Sequence, residues 1–421
     1  MIRLAYLIAA GIVLIVPQVL ETHEIVDGAG VSLMGANLYV LACLVLFLIG
    51  YEIGSVNRGR TQIAAFRRRF GAKPSGPRYI SSAFLAILLV WSICGVYVGV
   101  RQLTSSIGIQ RYLFLLEQGG SAMEHARGDS IGMAAASGGL PGYIKLLNAN
   151  CVTSLAVVLM MLGEGKRLKG VVGIAMSVMI GACFVLRNII YIERLTLVIL
   201  VPLGYHIWRN GGGRVRKHVA VWAGIALALA EIESIRRGYG FGAFGFFALY
   251  VQSGMINLSL IQNTFDGAHS FGLMTILTPI YYIAKALGIP FDVGLTFSWV
   301  WNAAQNAYGY LYQDFGIWGP LTLAPFGFLC GHLDQSDGPV FNRSVAGLFL
   351  RRLKILVAYG CLSMFAVPAF HGPELYFVGL CVFLCSWLEI RRPTLCFRAA
   401  GIIGRGRPTR ELRHRSQFLT R

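Results

Sequence analysis

The stretch "ANLYVLACLVLFLIGYEIGS", residues 36 to 55, carries a single charge, Glu52, in twenty positions. A run of about 20 apolar residues is the length a helix needs to cross a bilayer, and water cannot solvate its whole circumference. Comparable runs recur along the chain as far as residue 390. Composition agrees: 56% of residues are hydrophobic and only 13% charged, against roughly 25% charged in soluble domains. The expected fold class is an all-α polytopic integral membrane protein.

Hydropathy places spans at about Leu4–Leu20, Ala36–Ser55, Tyr79–Val100, Leu146–Leu162 and Gly170–Leu186. Five more are expected at Leu195–Trp208, Val219–Ile232, Gly316–His332, Ile355–Phe370 and Leu375–Ile390. The first resembles a signal peptide, but "ETHEIVDG" follows it with no small-x-small cleavage site, so a retained span is expected. The count is about ten transmembrane helices within a single membrane domain, 1–390, followed by a basic cytoplasmic tail, 391–421.

The net charge of +18 does not point to nucleic acid, because no nucleic-acid-binding motif accompanies it. Its distribution orients the chain instead. With the N-terminus inside, 28 of the 37 Lys and Arg fall on the inner side, a bias that predicts N-in and C-in. The nine cysteines lie mainly in apolar runs without C-x-x-C spacing, and the eight histidines show no H-x-x-x-H. Neither a disulfide framework nor a metal site is expected.

Two outer loops exceed turn length, at about 101–145 and 233–315. The second contains "FGAFGFFALYVQSGMINLSL" and "LMTILTPIYYIAKALGI", apolar but broken by Gly, Pro, Asn and Gln. These segments are interfacial helices, re-entrant pieces or an extra pair of spans, which would make twelve.

The few outer cations need a reason other than orientation. Arg187 and Arg194 in "RNIIYIER" lie two helical turns apart, and Arg236 and Arg237 follow the seventh span in "SIRRGYGF". Such arginines either snorkel to headgroups and pair with Glu193, Glu231 and Glu233, or present a donor fork to phosphate or pyrophosphate. Asp266, His269 and Asp314 are candidate general bases towards a hydroxyl, with helix capping or turn formation as the alternative for each. In "NAYGYLYQDFGIWGP", Tyr308, Tyr310, Tyr312 and Trp318 either stack on sugar rings or form the aromatic rim of a span, as do Trp299 and Trp301, while Asn306 is a polar candidate whose alternative is a helix cap or turn. For Asp314, stabilisation of the following helix through its dipole is a structural alternative. No D-x-D and no Walker glycine loop occurs, and few charges lie mid-span, which disfavours ion-coupled transport.

In order and spacing, "ERLTLVILVPL", "SIRRGYGF", "YVQSGMINLSL", "SFGLMTILTPI" and "YLYQDFGIWGPLTLAPFGFLCG" resemble the Wzy-type O-antigen or oligosaccharide repeat-unit polymerases. The last block is the most specific, and the first hundred residues match only in hydropathy. The resemblance implies a metal-independent glycosyltransferase of the bacterial inner membrane, needing no cofactor, compatible with a GT-C-like architecture, with its site facing the periplasm. Such enzymes transfer a growing glycan from undecaprenyl pyrophosphate onto a new lipid-linked unit, building O-antigen of lipopolysaccharide, capsule or exopolysaccharide. Lipid-linked oligosaccharides and the bilayer are the implied partners, with a chain-length regulator and a flippase as candidates. Arg194 and Arg236 would hold the pyrophosphate, with Arg187 and Arg237 in support. Arg187 and Arg194 compete for the family's loop arginine, and Arg194 is preferred because it directly precedes a span. Tyr250, Asn257, Asn306, Tyr308 and Tyr312 would contact substrate, and Asp266, His269 or Asp314 would be the base. Rival readings are an O-antigen ligase, a polyprenyl-phosphate-sugar glycosyltransferase and a polytopic transporter or flippase. The second draws on Glu21, Glu24 and Asp27, and the transporter predicts a repeat and a polar pathway that the sequence lacks.

Overall fold

A computed structural model of the 421-residue chain describes residues 1–19, 32–66, 79–106, 149–191, 198–210, 242–265, 269–272, 306–335, 345–365 and 378–388, with a few isolated positions besides. The fold is mostly helical. In chain order the helices are α1 (Ile2–Val19), α2 (Met34–Phe66), α3 (Ser82–Ser106), α4 (Ala149–Gly163), α5 (Gly170–Tyr191) and α6 (Leu200–Asn210). They continue with α7 (Gly242–Thr264), α8 (Ala307–Phe315), α9 (Gly319–Asp334), α10 (Val345–Ser363) and α11 (Val378–Leu388). Segments Met34–Val56, Ser82–Arg101 and Gly170–Asn188 are long and apolar enough to cross a membrane, while α1, α4 and α11 are shorter apolar helices. Their outward faces carry bare apolar side chains such as Val171, Ile15 and Tyr97, each more than 60% exposed. Apolar surface on that scale marks a face made for something other than water.

Two hydrophobic cores organise the helices. Tyr6, Val40, Phe47, Met255, Tyr308 and Leu323 belong to the first, built from α1, α2, α7, α8 and α9. Leu85, Val157, Phe184, Leu203 and Val382 belong to the second, built from α3, α4, α5, α6 and α11. Helix α10 joins them: Ile355 and Leu356 enter the second core, and Ala358, Cys361 and Leu362 the first.

The closest packing is between α2 and α9, and small residues make it. A Cβ on Gly50 or Gly54 would lie 1.9 or 2.1 Å from the carbonyl oxygens of Ala324 and Phe328. Reciprocally, a Cβ on Gly327 or Gly331 would lie 2.2 Å from those of Phe47 and Tyr51. Each helix thus supplies a G-x-x-x-G pair, which lets two backbones meet without intervening side chains.

Several expected boundaries move. Tyr79–Ile80, placed in a span, instead pairs in parallel with Arg167–Leu168, a two-residue sheet that departs from an all-α chain. Helix α10 begins at Val345, whereas charge had put Arg351, Arg352 and Lys354 in a loop before Ile355. Tertiary partners explain the shift, since Arg352 bonds Glu164 and Lys354 bonds Asp334. The span expected from Gly316 opens with a 3-10 turn, Gly316–Trp318, before α9. "FGAFGFFALYVQSGMINLSL" lies within or directly before α7, and residues 251 to 259 are buried without a break. Over residues 251 to 259 the helix is buried on every side, as a segment in the interior is. The expected span Val219–Ile232, most of both long loops and the tail 391–421 lie outside the described residues.

Candidate functional site

Asn306 starts α8 as its N-cap, with extended backbone and a side-chain oxygen that accepts the Gly309 N–H at 2.9 Å. It fits against α7 because residue 254 is glycine: a Cβ there would stand 3.3 Å from the Asn306 side chain. Tyr308 is fully buried in the first core, and Tyr312 meets Tyr39 edge-on with ring centroids 5.4 Å apart. The helix stops at Gly316, whose φ of 58° suits glycine and whose N–H donates to the Tyr312 carbonyl. Ile317 and Trp318 follow, about 70% exposed. The segment is therefore both core and rim, divided between its two ends.

Asp314 fastens a second segment to α8. Its carboxylate is buried and accepts the hydroxyls of Ser270 and Thr275. Its backbone carbonyl takes the Phe271 N–H at 3.0 Å. Phe271 pays for this with a φ of 48°, unusual for a residue with a side chain, and Gly272 beside it also has positive φ. Next to this anchor, His269 Nδ1 lies 3.1 Å from the Gln313 carbonyl. A carbonyl only accepts, so Nδ1 carries a proton, and in the neutral imidazole Nε2 is the acceptor. The Nε2–Cε1 edge of the ring lies beside Gly316, where a Cβ would come within 2.7 Å of Nε2 and 2.8 Å of Cε1. Exposed Phe271, Ile317 and Trp318 border the place.

Arg187 is 1% exposed near the end of α5 and lies within electrostatic reach of Cys151 on α4. It does not snorkel. Around it the α3–α4 contact is polar: the Cys151 thiol donates to the Ser92 carbonyl at 3.2 Å, and Asn150 donates to the Trp91 carbonyl at 3.3 Å. Asn257 is buried on α7, and Tyr250 falls on the same helix. Arg194, Arg236, Arg237 and Asp266 lie outside the described residues.

The opposite end of the bundle holds a charged cluster that sequence reading treated only as orienting charge. Asp334 closes α9 and accepts the Met1 amino group at 2.9 Å, the Tyr51 hydroxyl at 2.6 Å and Lys354 Nζ at 2.7 Å. Burial alone would raise its pKa. The Lys354 charge and these hydrogen bonds outweigh burial and hold the carboxyl at about 2. Glu164, just past α4, takes two parallel bonds of 2.8 Å from Arg352 and lies 3.5 Å from Lys166. Burial again opposes ionisation, and Arg352 and Lys166 overcome it, leaving the carboxyl below its usual range. The available signal was an acidic residue beside several cations at a helix end. Its partners are distant in sequence, so spacing could not reveal them.

Among the described residues no group of three or more His, Cys, Asp or Glu side chains is placed to hold a metal. The fold and its surface define a helical protein with membrane-spanning character. The chain matches no family model, no curated protein and no solved structure.

Proposed function

We propose that the chain is a periplasm-facing polymerase of undecaprenyl-pyrophosphate-linked oligosaccharide repeat units, with His269 as its general base. The observation that supports this reading is the His269 imidazole, held by the Gln313 carbonyl with its Nε2–Cε1 edge against Gly316, beside exposed Phe271 and Trp318. A base bordered by apolar and aromatic surface suits a reaction between sugars carried on lipid. Both Asp314 oxygens already accept hydroxyls, so its role is to anchor Ser270 and Thr275; of Asp266, outside the described residues, and His269, this reading assigns the base to His269. Asn306 and Tyr308 act as cap and core rather than as sugar contacts.

In the proposed step, a hydroxyl of the incoming unit attacks the anomeric carbon of the growing chain and gives its proton to His269 Nε2. The bond from that carbon to the pyrophosphate oxygen breaks, and undecaprenyl pyrophosphate leaves with the electron pair. Arg194 and Arg236, supported by Arg187 and Arg237, stabilise the departing charge. The buried Arg187 is on the same end of the bundle as His269, since α5 and α9 both have their other ends at the Glu164 and Asp334 cluster.

The test is an analysis of lipid-linked and surface glycans from a strain lacking this gene. Single repeat units in the null, a ladder with native protein and single units again with His269→Ala or Arg194→Ala would support the reading. Long polymer accumulating on its lipid carrier would overturn it in favour of a ligase, and unchanged glycans would remove it altogether.

A further inference from the structure

A cavity of about 190 Å³ opens at the charged end of the bundle, between α6 and α10. Tyr205, His206, Arg209 and Asn210 line it from α6, and Arg351 and Lys354 from α10, with Met1 and Ile355 completing the wall. The described wall has no carboxylate. In the neighbouring cluster Asp334 bonds Lys354 and Met1, and Glu164 bonds Arg352 and Lys166 and feels the charge of Arg351. Lys354 is held firmly, its Nζ bonding both the Asp334 side chain at 2.7 Å and the Asp334 carbonyl at 2.9 Å. His206 is nearly buried, with Nδ1 3.3 Å from the Asn210 amide nitrogen.

We infer that this cavity is an anion site for a phosphate group, with Arg209 and Arg351 as its principal ligands and Tyr205 and Lys354 in support. Two guanidinium forks, an ammonium and a phenol line one space, open beside the exposed Arg209 and Asn210, a donor set matched to tetrahedral phosphate oxygens. The bundle end supplies the setting, because basic pockets between helices at a membrane surface take up phosphate headgroups. The site is separate from the His269 region: α9, which links the two ends, has 16 residues, about 24 Å of helix. The phosphate belongs either to an anionic lipid headgroup or to a soluble phosphate compound, and the chemistry of the wall is the same for both.

Full-length protein in an uncharged detergent would be titrated with inorganic phosphate and, separately, with short-chain phosphatidylglycerol, following thermal unfolding against sodium chloride at equal ionic strength. Saturable stabilisation by phosphatidylglycerol alone would identify a lipid headgroup site, and saturable stabilisation by inorganic phosphate a soluble one. Arg209→Gln with Arg351→Gln should weaken either response about tenfold, while Arg209→Lys with Arg351→Lys should retain part of it. Arg111→Gln, distant in the chain, should change nothing. Equal stabilisation by chloride, no stabilisation by either ligand, or an undiminished response in the Gln variant would overturn the inference. Because neither arginine belongs to the proposed glycan site, glycan ladders report on the two readings independently.

Discussion

Gly50 of α2 and Ala324 of α9 approach so closely that a Cβ on the glycine would sit 1.9 Å from the alanine carbonyl oxygen. With Gly54, Gly327 and Gly331, this contact sets the separation of α2 from α9, which starts just after the α8 residue Asp314 and ends at Asp334. Tyr51 of α2 reaches Asp334 at the end of α9 only with the two helices in this register.

Gly50→Ala or Gly327→Ala should therefore destabilise the protein by about 1–3 kcal/mol, the usual cost of overpacking where backbone is the obstacle. Thermal unfolding in detergent measures it. Gly11→Ala, where a Cβ meets nothing within 4 Å, should be neutral or slightly stabilising.

Arg352→Met should cost about 3–5 kcal/mol, because it strands a buried Glu164 that has lost both parallel bonds. Adding Glu164→Gln should restore part of the loss. Chemical unfolding of the single and double variants distinguishes a true pair from two independent surface charges, for which the effects would simply add.

Acid should unfold the protein through the same end. Asp334 has a folded pKa lowered from 3.8 to about 2, so its contribution is complete above pH about 4 and is lost as pH falls through about 2. Glu164, also lowered, adds to the same limb. Melting temperature measured from pH 5 downwards should fall, and Asp334→Asn should flatten that fall without abolishing it.

At the other end, Gly316→Ala combines an unfavourable φ of 58° with a Cβ 2.7 Å from His269 Nε2. It should displace the imidazole and, under the proposed function, reduce polymer formation about as much as His269→Ala, or about 10²-fold and more for a general base. Asp314→Asn keeps the shape but weakens the two hydroxyl bonds, so a smaller loss is expected. Glycan ladders from complemented strains read all three.

Hydropathy alone was enough to find most of the helices, because a span is a local property: about 20 apolar residues in a row stay apolar whatever surrounds them. It misplaced edges where tertiary contacts neutralise charge, as at Arg352 and Lys354, and it left α7 undecided because burial on every side depends on neighbours brought from elsewhere. The G-x-x-x-G pairs were readable in principle from Gly50, Gly54, Gly327 and Gly331, but which pair faced which was not. At the site, Asn306, His269 and Asp314 stood out as residue types suited to capping or proton transfer. Spacing could not divide those roles among them.

By itself, then, the sequence determined an apolar helical protein with most of its cations in short stretches between apolar runs and a few polar residues set apart from them. Tertiary structure decided that Asp314 anchors while His269 packs against Gly316 with Nδ1 held by the Gln313 carbonyl, that Arg187 is enclosed, and that Arg209 and Arg351 share a cavity with Lys354. The physical reason is range. Hydrophobicity and helix formation act over a few neighbouring residues, whereas a hydrogen bond between residues 270 and 314, or an ion pair between 164 and 352, exists only once distant helices have packed.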